Sequence, residues 1–428
     1  LPPEIQETNL LKLRPVVVLA LKAGWGHLFE AYAVAKSLQE RGIPVIVADI
    51  LDVTQPRNSA LIEMFCRLYE KAQRSSLRPE GKGSFPKLPR WAYPKLPGLF
   101  NIFERPLRRD LEDFLEAVGA SFAITTHPTA AGALARSEEW RDKIINVIPD
   151  PFGYAGLMGL AYYARPGIET TTFDKTHQKW LEEVFGVERV STLKTPIPLS
   201  VFDQAIAERE KIKTKPGEAK YTRRRWDVMI STGGAGGNWE DIEKVMREMA
   251  EELRKKDSRY RLFVFVGNHK HLESRARELA ARLEILDSEN FEIVASDNLR
   301  EMSEIKYRLQ AQCEITIEKA GEPVLICPWL GTIVLCLGYT SPHERGNLLT
   351  GGLRGGLVLP FSRARPALLE LNFNRRFLEE LFGIMRNDQG EVINPGEVYE
   401  NLQHLAPISD KRKEQMEEFV RKIIARRG

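Results

Sequence analysis

The strongest constraint on the fold is a regular alternation of short apolar runs with amphipathic stretches, which occurs in both halves of the chain. Short β-branched runs bounded by turn residues predict buried strands, and these span 15–20, 44–49, 122–126, 144–148, 227–231, 261–266, 291–295, 313–317, 332–337 and 357–359. Apolar residues at helical spacing predict helices, and these span 27–41, 59–74, 106–118, 129–137, 238–256, 271–284, 299–309 and 366–381. The sequence therefore predicts an α/β fold with two doubly wound parallel sheets.

The length of the chain and one polar stretch predict where the domains meet. At 428 residues the chain is long for a single core, which favours about two or three domains. Residues 204–225 are charged, nearly free of large apolar side chains, and broken by Pro216 and Gly217, so they are predicted to form a link or an exposed loop. We therefore expect domains at 1–202 and 203–407.

The last segment, 408–428, opens with a Ser-Asp cap signal and has the pattern of an amphipathic helix. Its apolar face is formed by Met416, Phe419, Val420 and Ile423. Such a helix needs a surface to cover.

Composition narrows the class of protein. A hydrophobic content of 43% and a charged content of 28% are typical of a soluble globular protein. The net charge of +3 is too small to indicate a nucleic-acid partner. No apolar run approaches the roughly 20 residues that span a bilayer. The cysteines show no metal-binding or redox spacing, which favours a reducing, cytoplasmic compartment, and they are Cys66, Cys313, Cys327 and Cys336.

The first candidate site lies directly after the first predicted strand, where the sequence reads Gly24, Trp25, Gly26 and His27. The glycines place a turn between strand and helix, with the histidine at the start of the helix. Open α/β sheets bind ligands at this edge. Two interpretations stay open from these residues alone: a functional histidine, or a glycine turn with a histidine that only caps the helix.

The second half opens on a glycine loop with the sequence STGGAGG at residues 231–237, between a predicted strand and a long helix. Closely spaced glycines let backbone amides approach an anion without obstruction by a Cβ atom, and the helix start adds partial positive charge. A diphosphate is therefore the expected ligand. The pattern is neither a Walker sequence nor a regular GxGxxG, and the alternative is a sharp turn that binds nothing.

Three further motifs follow predicted strands. His127 precedes Pro128 after a strand of the first half, and Asp150 precedes Pro151 after the next one. The sequence HERGN occurs late in the chain, at residues 343–347.

In order and spacing, these motifs resemble those of the GT-B glycosyltransferases of the monogalactosyldiacylglycerol synthase and processive diacylglycerol glucosyltransferase family. These enzymes are relatives of the peptidoglycan enzyme that glycosylates lipid I. The resemblance covers about residues 15–400, and TPIP at 195–198 is similar to the family's segment leading out of the first domain. No single motif is decisive.

The resemblance implies an architecture and a reaction. The expected architecture is GT-B: an N-terminal acceptor-binding domain and a C-terminal nucleotide-sugar domain facing a cleft, with the terminal helix crossing back to the first domain. The expected reaction is a metal-independent, inverting transfer of a hexose from a UDP-sugar to a lipid hydroxyl such as that of diacylglycerol. No tightly bound cofactor is expected, since the UDP-sugar is the donor substrate.

The resemblance also assigns roles. His27 is expected to be the base or an acceptor-site residue, because imidazole has a pKa near neutrality, and Gly24, Trp25 and Gly26 are expected to bind the acceptor. His127 and Asp150 either orient the acceptor or His27, or are only turn residues. The residues expected to bind the donor are Ser231, Thr232, Gly233, Gly234, Ala235, Gly236, Gly237, Lys319, Gly321, Glu322, His343, Glu344 and Asn347.

The chain departs from the family pattern at two donor positions. Family members carry a Ser-Glu whose carboxylate holds the ribose, but here Ile326 and Cys327 stand in those positions. A thiol cannot replace a carboxylate that accepts two hydroxyl hydrogen bonds. Either Glu322 takes over this contact, or UDP recognition is lost. The family's Gln-Glu-x-x-Asn begins here with His343.

An insert at about 77–109 combines many Lys and Arg residues with aromatic residues and prolines. Basic side chains attract anionic headgroups and aromatic rings settle at the interface, so the insert is predicted to contact an anionic membrane surface. The alternative is a proline-rich loop packed on its own domain. Met64 and its apolar neighbours before the insert are predicted to belong to the core.

Two functions of different class therefore remain. The first is a lipid glycosyltransferase in the cytoplasm, peripherally associated with the inner face of the membrane, with a UDP-hexose and a lipid acceptor as its partners and no nucleic acid. The second is another GT-B sugar-nucleotide enzyme, such as an epimerase, or a nucleotide-binding homologue with altered or lost transferase activity.

Overall fold

The computed structural model describes most of the chain as two compact units. The described residues are 14–22, 26–75, 90–148, 156–211, 226–233, 239–258, 260–313, 315–319, 321–330, 332–336, 358–360 and 412–426. The first unit contains the described residues through Glu70, those from 90 to Leu199, and those from Lys413 onward. The second contains residues 71–75 and the described residues from Ser200 to Arg412.

A six-stranded sheet forms the centre of the first unit. Its strands are β1 (Val16–Ala20), β2 (Val45–Asp49), β3 (Phe122–Thr125), β4 (Ile144–Val147), β5 (Glu169–Thr172) and β6 (Val190–Thr192). They pair in the order β2-β1-β3-β4-β5-β6, and every pairing is parallel. The chain moves from β1 to one side of the sheet and then returns to β3 on the other side. The topological switch point therefore lies between β1 and β3.

The second unit contains another parallel six-stranded sheet. Its strands are β7 (Trp226–Ser231), β8 (Tyr260–Gly267), β9 (Phe291–Ala295), β10 (Ile315–Glu318), β11 (Ile333–Cys336) and β12 (Val358–Pro360). The order β12-β11-β10-β7-β8-β9 is that of a doubly wound dinucleotide-binding sheet. Its switch point lies between β7 and β10. The prediction of an α/β fold with two Rossmann-like parallel sheets is confirmed.

Helices connect the strands. As far as residue 185 they are α1 (Gly26–Gln39), α2 (Pro56–Ser75), α3 (Leu96–Glu104), α4 (Leu107–Ala117), α5 (Pro128–Leu134), α6 (Gly156–Tyr163) and α7 (Lys175–Phe185), with a 3-10 helix at Arg90–Lys95 before α3. From α8 (Leu199–Lys211) onward they are α9 (Trp239–Leu253), α10 (Lys270–Arg282), α11 (Leu299–Gln312) and α12 (Pro323–Ile326), followed by a 3-10 helix at Cys327–Leu330. A terminal helix covers residues 412–426.

Local chemistry explains where several helices begin and end. Asp174 starts α7 because its side chain accepts hydrogen bonds from the backbone amides of Thr176 and His177, at 2.9 and 3.1 Å. Gly186 ends the helix in the left-handed region, with φ of +66°. Asn298 caps α11 in the same way as Asp174 caps α7.

Most of the predicted elements are present, and the two missed strands of the first sheet are polar. The strand β5 reads ETTT, so it carries no apolar run for a periodicity argument to find, yet all its residues are buried. The strand β6 is only three residues long. The helix predicted at 366–381 lies outside the described residues.

Two predictions from the sequence are wrong. The charged stretch predicted as a link from residue 204 is helical through Lys211, because α8 continues into it; its remainder, 212–225, lies outside the described residues. Met64, predicted to be core, is 46% exposed on α2. The apolar face of α2 is therefore wider than the surface that covers it.

The terminal helix belongs to the first unit from Lys413 onward. Its predicted apolar face, made of Met416, Phe419, Val420 and Ile423, is buried. Glu169 of β5, whose side chain is 3% exposed, forms ion pairs with Lys422 and Arg426. Arg41, after α1, pairs with Glu417 at 2.9 Å. Both burial and charge therefore hold this helix on the unit.

We expect Glu169→Gln to loosen the terminal helix, because the change removes the buried charge that pairs with Lys422 and Arg426. The loss should be about 1–3 kcal/mol, as for hydrogen bonds to charged groups. Amide hydrogen exchange measured over residues 412–426 should become faster. Glu417→Gln is the matched control, since its exposed pair with Arg41 should contribute about 0–1 kcal/mol. Equal exchange in the two variants would contradict the role of Glu169.

Candidate functional site

His27 lies at the first switch point, in the first turn of α1. The pairing of β1 with β3 places Leu19 opposite Thr125, so the segments that follow the two strands start side by side. The Thr126 hydroxyl donates a hydrogen bond of 2.8 Å to the backbone carbonyl of His27, across 99 positions of sequence. This bond joins the start of α1 to the end of β3.

His127 lies beside His27, with ring centroids 4.9 Å apart and planes at 87°. Its Nδ1 atom accepts a hydrogen bond of 3.4 Å from the Thr129 amide and so caps α5. Burial, the neighbouring His27 and the Arg165 cation lower the pKa of His127 well below its ordinary value. His127 is therefore a neutral imidazole at physiological pH.

The sequence left two interpretations open for His127, and its role in orienting the acceptor or His27 stays a prediction. His127 is a buried residue that caps a helix, and it also contacts the ring of His27 edge to face. Its Nδ1 is used by Thr129, so the proton of the neutral ring is on Nε2.

Two tyrosines at the end of α6 complete an aromatic cluster around the histidines. The Tyr163 ring lies 6.5 Å from that of His27, and the Tyr162 ring lies 6.0 Å from that of His127. Burial raises the pKa of Tyr162, although its hydrogen bond with Thr129 acts in the opposite direction. The phenol therefore stays protonated.

A carboxylate also approaches His27. Glu30, one helical turn after it on α1, places its Oε2 atom 3.7 Å from His27 Nδ1. The side chain of Glu30 is 4% exposed, whereas that of His27 is 22% exposed. The acid is therefore inside the unit and the imidazole at its surface.

A buried ion pair lies behind this cluster. Glu104 at the end of α3 contacts Arg165, which follows α6, and both side chains are 3% exposed. Gly132 of α5 is required here, because a Cβ atom at that position would overlap the Glu104 carboxylate. Burial raises the pKa of Glu104 to about 7, in spite of the opposing effect of Arg165.

The sequence predicted part of this site. His27 and His127 are brought together, while Gly26 is the first residue of α1. Gly24, Trp25 and Asp150 lie outside the described residues, so their predicted roles remain predictions.

Residues that sequence reasoning missed are Glu30, Glu104, Tyr162, Tyr163 and Arg165. The proximity of Glu30 to His27 could have been predicted from the sequence, since residues three apart on a helix share one face. The other four come from segments whose proximity to the histidines depends on the order of elements in the fold.

In the second unit, the predicted glycine loop begins at the end of β7. Gly233 has φ of +67°, a conformation that a residue with a Cβ rarely adopts. Its amide donates to the Ser231 hydroxyl at 3.1 Å, and both Ser231 and Thr232 are buried. Gly234, Ala235, Gly236 and Gly237 lie outside the described residues. The helix α9 starts at Trp239, shortly after the loop.

The turn after β10 lies beside β7, at the second switch point, since Ile317 pairs with Ile230. This turn contains the predicted donor residues Lys319, Gly321 and Glu322, which are all partly exposed. The Tyr307 hydroxyl donates to the Glu322 carboxylate at 2.5 Å, which ties the turn to α11.

A buried carboxylate, that of Glu318, lies at the end of β10, directly before this turn. It accepts hydrogen bonds from Gln310 and Thr316 at 2.9 and 3.0 Å, and its other oxygen lies 3.2 Å from Lys306 Nζ. Burial alone would lower the pKa of Lys306, but the Glu318 and Glu322 carboxylates raise it. The charge of Glu318 is therefore compensated inside the unit.

Cys327 is completely buried at the start of the second 3-10 helix. Burial and the nearby Glu318 carboxylate raise the pKa of its thiol well above the ordinary value. The side chain at the position expected to hold a ribose is thus an inert core thiol. His343, Glu344 and Asn347 lie outside the described residues.

The surface of the first unit exposes several large apolar side chains. Trp91 in the 3-10 helix is 69% exposed, and Ile102 on α3 is 68% exposed. Lys95 places its ammonium 5.2 Å from the centroid of the Trp91 ring. None of the helices in the described ranges is both long enough and apolar enough to cross a membrane.

The two switch points differ in chemistry. The first places the partly exposed His27 imidazole beside the buried Glu30, His127 and Tyr163, an arrangement that can take up a proton from a hydroxyl group. The second presents a glycine turn and a partly exposed carboxylate. Within the residues that the structure covers, no three His, Cys, Asp or Glu side chains are grouped as metal ligands would be.

Comparison with known proteins gives matches only among solved structures. No protein-family profile matches the chain, and no curated protein is similar in sequence. MurG of Acinetobacter baumannii is 15% identical, with 91% of this chain and 99% of that chain covered and a TM-score of 0.42.

Two further matches have similar statistics. UGT89C1 of Arabidopsis thaliana, complexed with UDP-L-rhamnose, is 15% identical over 96% of this chain and 99% of that chain, with a TM-score of 0.46. The UDP-GlcNAc 2-epimerase of Neisseria meningitidis is 10% identical over 91% and 98%, with a TM-score of 0.40. These values are too low to assign the chain to a family.

The raised pKa of Glu104 predicts a specific dependence of stability on pH. Between its ordinary pKa of 4.5 and about 7, the folded protein holds a proton that the unfolded chain has released. The free energy of unfolding should therefore fall as the pH rises through this window, by about 3 kcal/mol for this group.

Denaturant unfolding at several pH values checks this expectation by comparing the native protein with Glu104→Gln. The free energy of unfolding is plotted against pH for both proteins. The difference between the two slopes is the contribution of Glu104, because the other titrating groups are the same in both. Glu139→Gln, at an exposed position paired with Lys143, should keep the native slope. A Glu104→Gln variant with the native slope would show that Glu104 is ionised throughout.

Proposed function

We propose that the protein is an inverting glycosyltransferase of GT-B type that transfers a hexose from a UDP-sugar to a lipid hydroxyl, such as that of diacylglycerol, without a metal ion. In this proposal the domain at 1–202 binds the acceptor and the domain at 203–407 binds the donor. His27 acts as the base, and the loop that begins at Ser231 holds the diphosphate.

The observation that carries the proposal is the position of His27. It lies at the carboxyl end of β1, at a switch point where doubly wound sheets bind ligands. Its ring is partly exposed and lies against His127, Tyr163 and Glu30. A hydroxyl group must lose its proton as it attacks an anomeric carbon, and a surface imidazole held by buried groups is suited to that task.

The donor half of the proposal is supported by the second switch point. A glycine with positive φ begins the loop, and a helix of 15 residues starts shortly after it. Amides in such a loop and at such a helix start stabilise a leaving diphosphate. Glu322, held by Tyr307, is a carboxylate of this turn that can accept hydrogen bonds from ribose hydroxyls.

A second candidate is favoured by Cys327. Because this thiol is buried, the position expected to hold the ribose has no polar side chain to offer. A sugar-nucleotide enzyme of another kind, such as an epimerase, or a nucleotide-binding homologue without transferase activity fits that observation. It would bind a nucleotide at the same loop without transferring the sugar to a lipid.

The first test measures binding and transfer separately. Calorimetry should detect UDP binding, and incubation of UDP-hexoses with diacylglycerol vesicles should give a glycolipid by mass spectrometry. We expect His27→Ala to reduce transfer by about 10²–10⁴-fold, as for loss of a general base, with UDP affinity unchanged. Glu40→Ala, an exposed change after the same helix, should leave both unchanged.

The outcomes separate the candidates. UDP binding without any transfer favours the nucleotide-binding homologue or another sugar-nucleotide enzyme. Failure to bind any nucleotide sugar excludes both candidates. Full transfer by His27→Ala removes His27 from the reaction.

The lipid part of the proposal is supported by the exposed apolar side chains of the first unit. Trp91 and Ile102 lie within the insert for which a membrane contact was predicted, and Met64 on α2 adds to the exposed apolar surface. Interfacial tryptophan with lysine nearby is typical of peripheral membrane contacts. We therefore propose that this unit associates with the inner face of the membrane.

Co-sedimentation with vesicles tests this contact. We expect the double change Trp91→Glu and Ile102→Glu to reduce binding to vesicles that contain anionic lipid at least tenfold, because it replaces inserted apolar area with charge. Both side chains are exposed, so folding should be little affected.

Leu286→Glu is the matched control, since Leu286 is an exposed apolar residue of the second unit. Binding should also weaken at high salt. Equal sedimentation of the double variant and the native protein would contradict the proposed surface.

A further inference from the structure

The position of Glu30 is unusual for an acidic residue on a helix that covers a sheet. Helix α1 is buried over most of its length, and Glu30 is 3% exposed between the buried residues Phe29 and Ala31. A buried carboxylate is costly unless a charge or hydrogen bonds compensate it. The Nδ1 atom of His27 lies 3.7 Å from Oε2 of this carboxylate.

The orientation of the His27 ring determines which of its two nitrogens faces Glu30. The Nδ1 atom of His27 is itself buried, although the side chain as a whole is 22% exposed. The exposed part of the side chain therefore does not include Nδ1. The Thr126 hydroxyl holds the backbone of His27, so the ring is presented from a fixed helix start.

The other groups around His27 come from two neighbouring helices. His127 at the start of α5 faces it edge to face, and Tyr163 of α6 lies at 6.5 Å. Burial, His27 and the Arg165 cation keep His127 neutral by lowering its pKa. Glu30 places a carboxylate oxygen 3.7 Å from Nδ1 of His27, where a negative charge stabilises a protonated imidazole.

We propose that Glu30 is a positioning residue that acts through His27, and this inference rests on the proposed glycosyltransferase function. In this proposal the Glu30 carboxylate accepts a hydrogen bond from the Nδ1–H group of His27, so the neutral ring carries its proton on Nδ1 and can accept another proton on Nε2. The distance of 3.7 Å is long for a hydrogen bond, but catalytic contacts of this kind commonly tighten when substrate binds.

The chemical step follows from this arrangement. The acceptor hydroxyl gives its proton to Nε2 of His27 while its oxygen forms the bond to the anomeric carbon. The bond from that carbon to the diphosphate oxygen breaks, and its electron pair leaves with the diphosphate. His27 is then an imidazolium ion, and the negative charge of Glu30 stabilises it at Nδ1.

A measurement on the native protein tests the inference without any activity. Long-range ¹H–¹⁵N correlation spectra of histidine-labelled protein distinguish the two neutral tautomers, and His27→Gln identifies the signal. We expect neutral His27 to carry its proton on Nδ1. A neutral ring protonated on Nε2 would overturn the proposal, and this result does not depend on whether the protein transfers a sugar.

Substitution of Glu30 tests the same inference by titration and by kinetics. In Glu30→Gln, the titration midpoint of the His27 signal should move to lower pH, because the compensating charge is lost. If the protein is a transferase, the acidic limb of its pH–rate profile should move in the same direction, with kcat reduced by about tenfold to 100-fold and KM little changed. Glu30→Asp should restore part of both.

Glu40→Gln is the matched control, since it removes an exposed carboxylate just after the same helix. The titration midpoint of the His27 signal should be the same in this variant as in the native protein. A loss of kcat in Glu30→Gln with an unmoved His27 titration would mean that Glu30 only supports the fold. If Glu30→Gln does not fold, the tautomer of the native protein decides the question alone.

Discussion

The parallel pairing of β1 with β3 is the constraint on which the rest of the first unit depends. These strands are neighbours in the sheet although about a hundred residues of chain separate them, and their register places Leu19 opposite Thr125. Because both strands end at the same edge, the segments that follow them diverge and leave a crevice. His27 and His127 meet there, and the bond from Thr126 to the His27 carbonyl holds them together. The pairing of β7 with β10 has the same effect in the second unit.

Three buried carboxylates stand out in the structure, and the charge of each is compensated by different neighbours. Glu318 is surrounded by Lys306, Gln310 and Thr316, so its charge is fully supported. Glu104 pairs with Arg165, yet burial raises its pKa to about 7. Glu30 faces an imidazole that is charged only when protonated. The same side-chain chemistry therefore serves as a scaffold, as a titrating group and, in our proposal, as the partner of a base.

The sequence predicted the elements best where apolar periodicity was strong and failed where burial involves polar side chains. The Val-rich strand β1 and the helix after it were found within a residue or two, because β1 is a fully buried β-branched run bounded by turn residues and the helix carries apolar residues at helical spacing. The strand β5 was missed, since its threonines are buried without being apolar. Met64 was placed in the core on hydrophobicity alone, but helix packing left it exposed.

The sequence by itself determined the fold class, the position of His27 shortly after the first strand and the glycine that follows β7, because these depend on local periodicity and on backbone freedom. Only the tertiary structure decided that His127 lies against His27, that Glu30 points at the same imidazole, and that Cys327 is buried. Contacts between segments far apart in the chain depend on strand order, and protonation depends on how completely each group is removed from water. Neither quantity is encoded in the spacing of residues along a single segment.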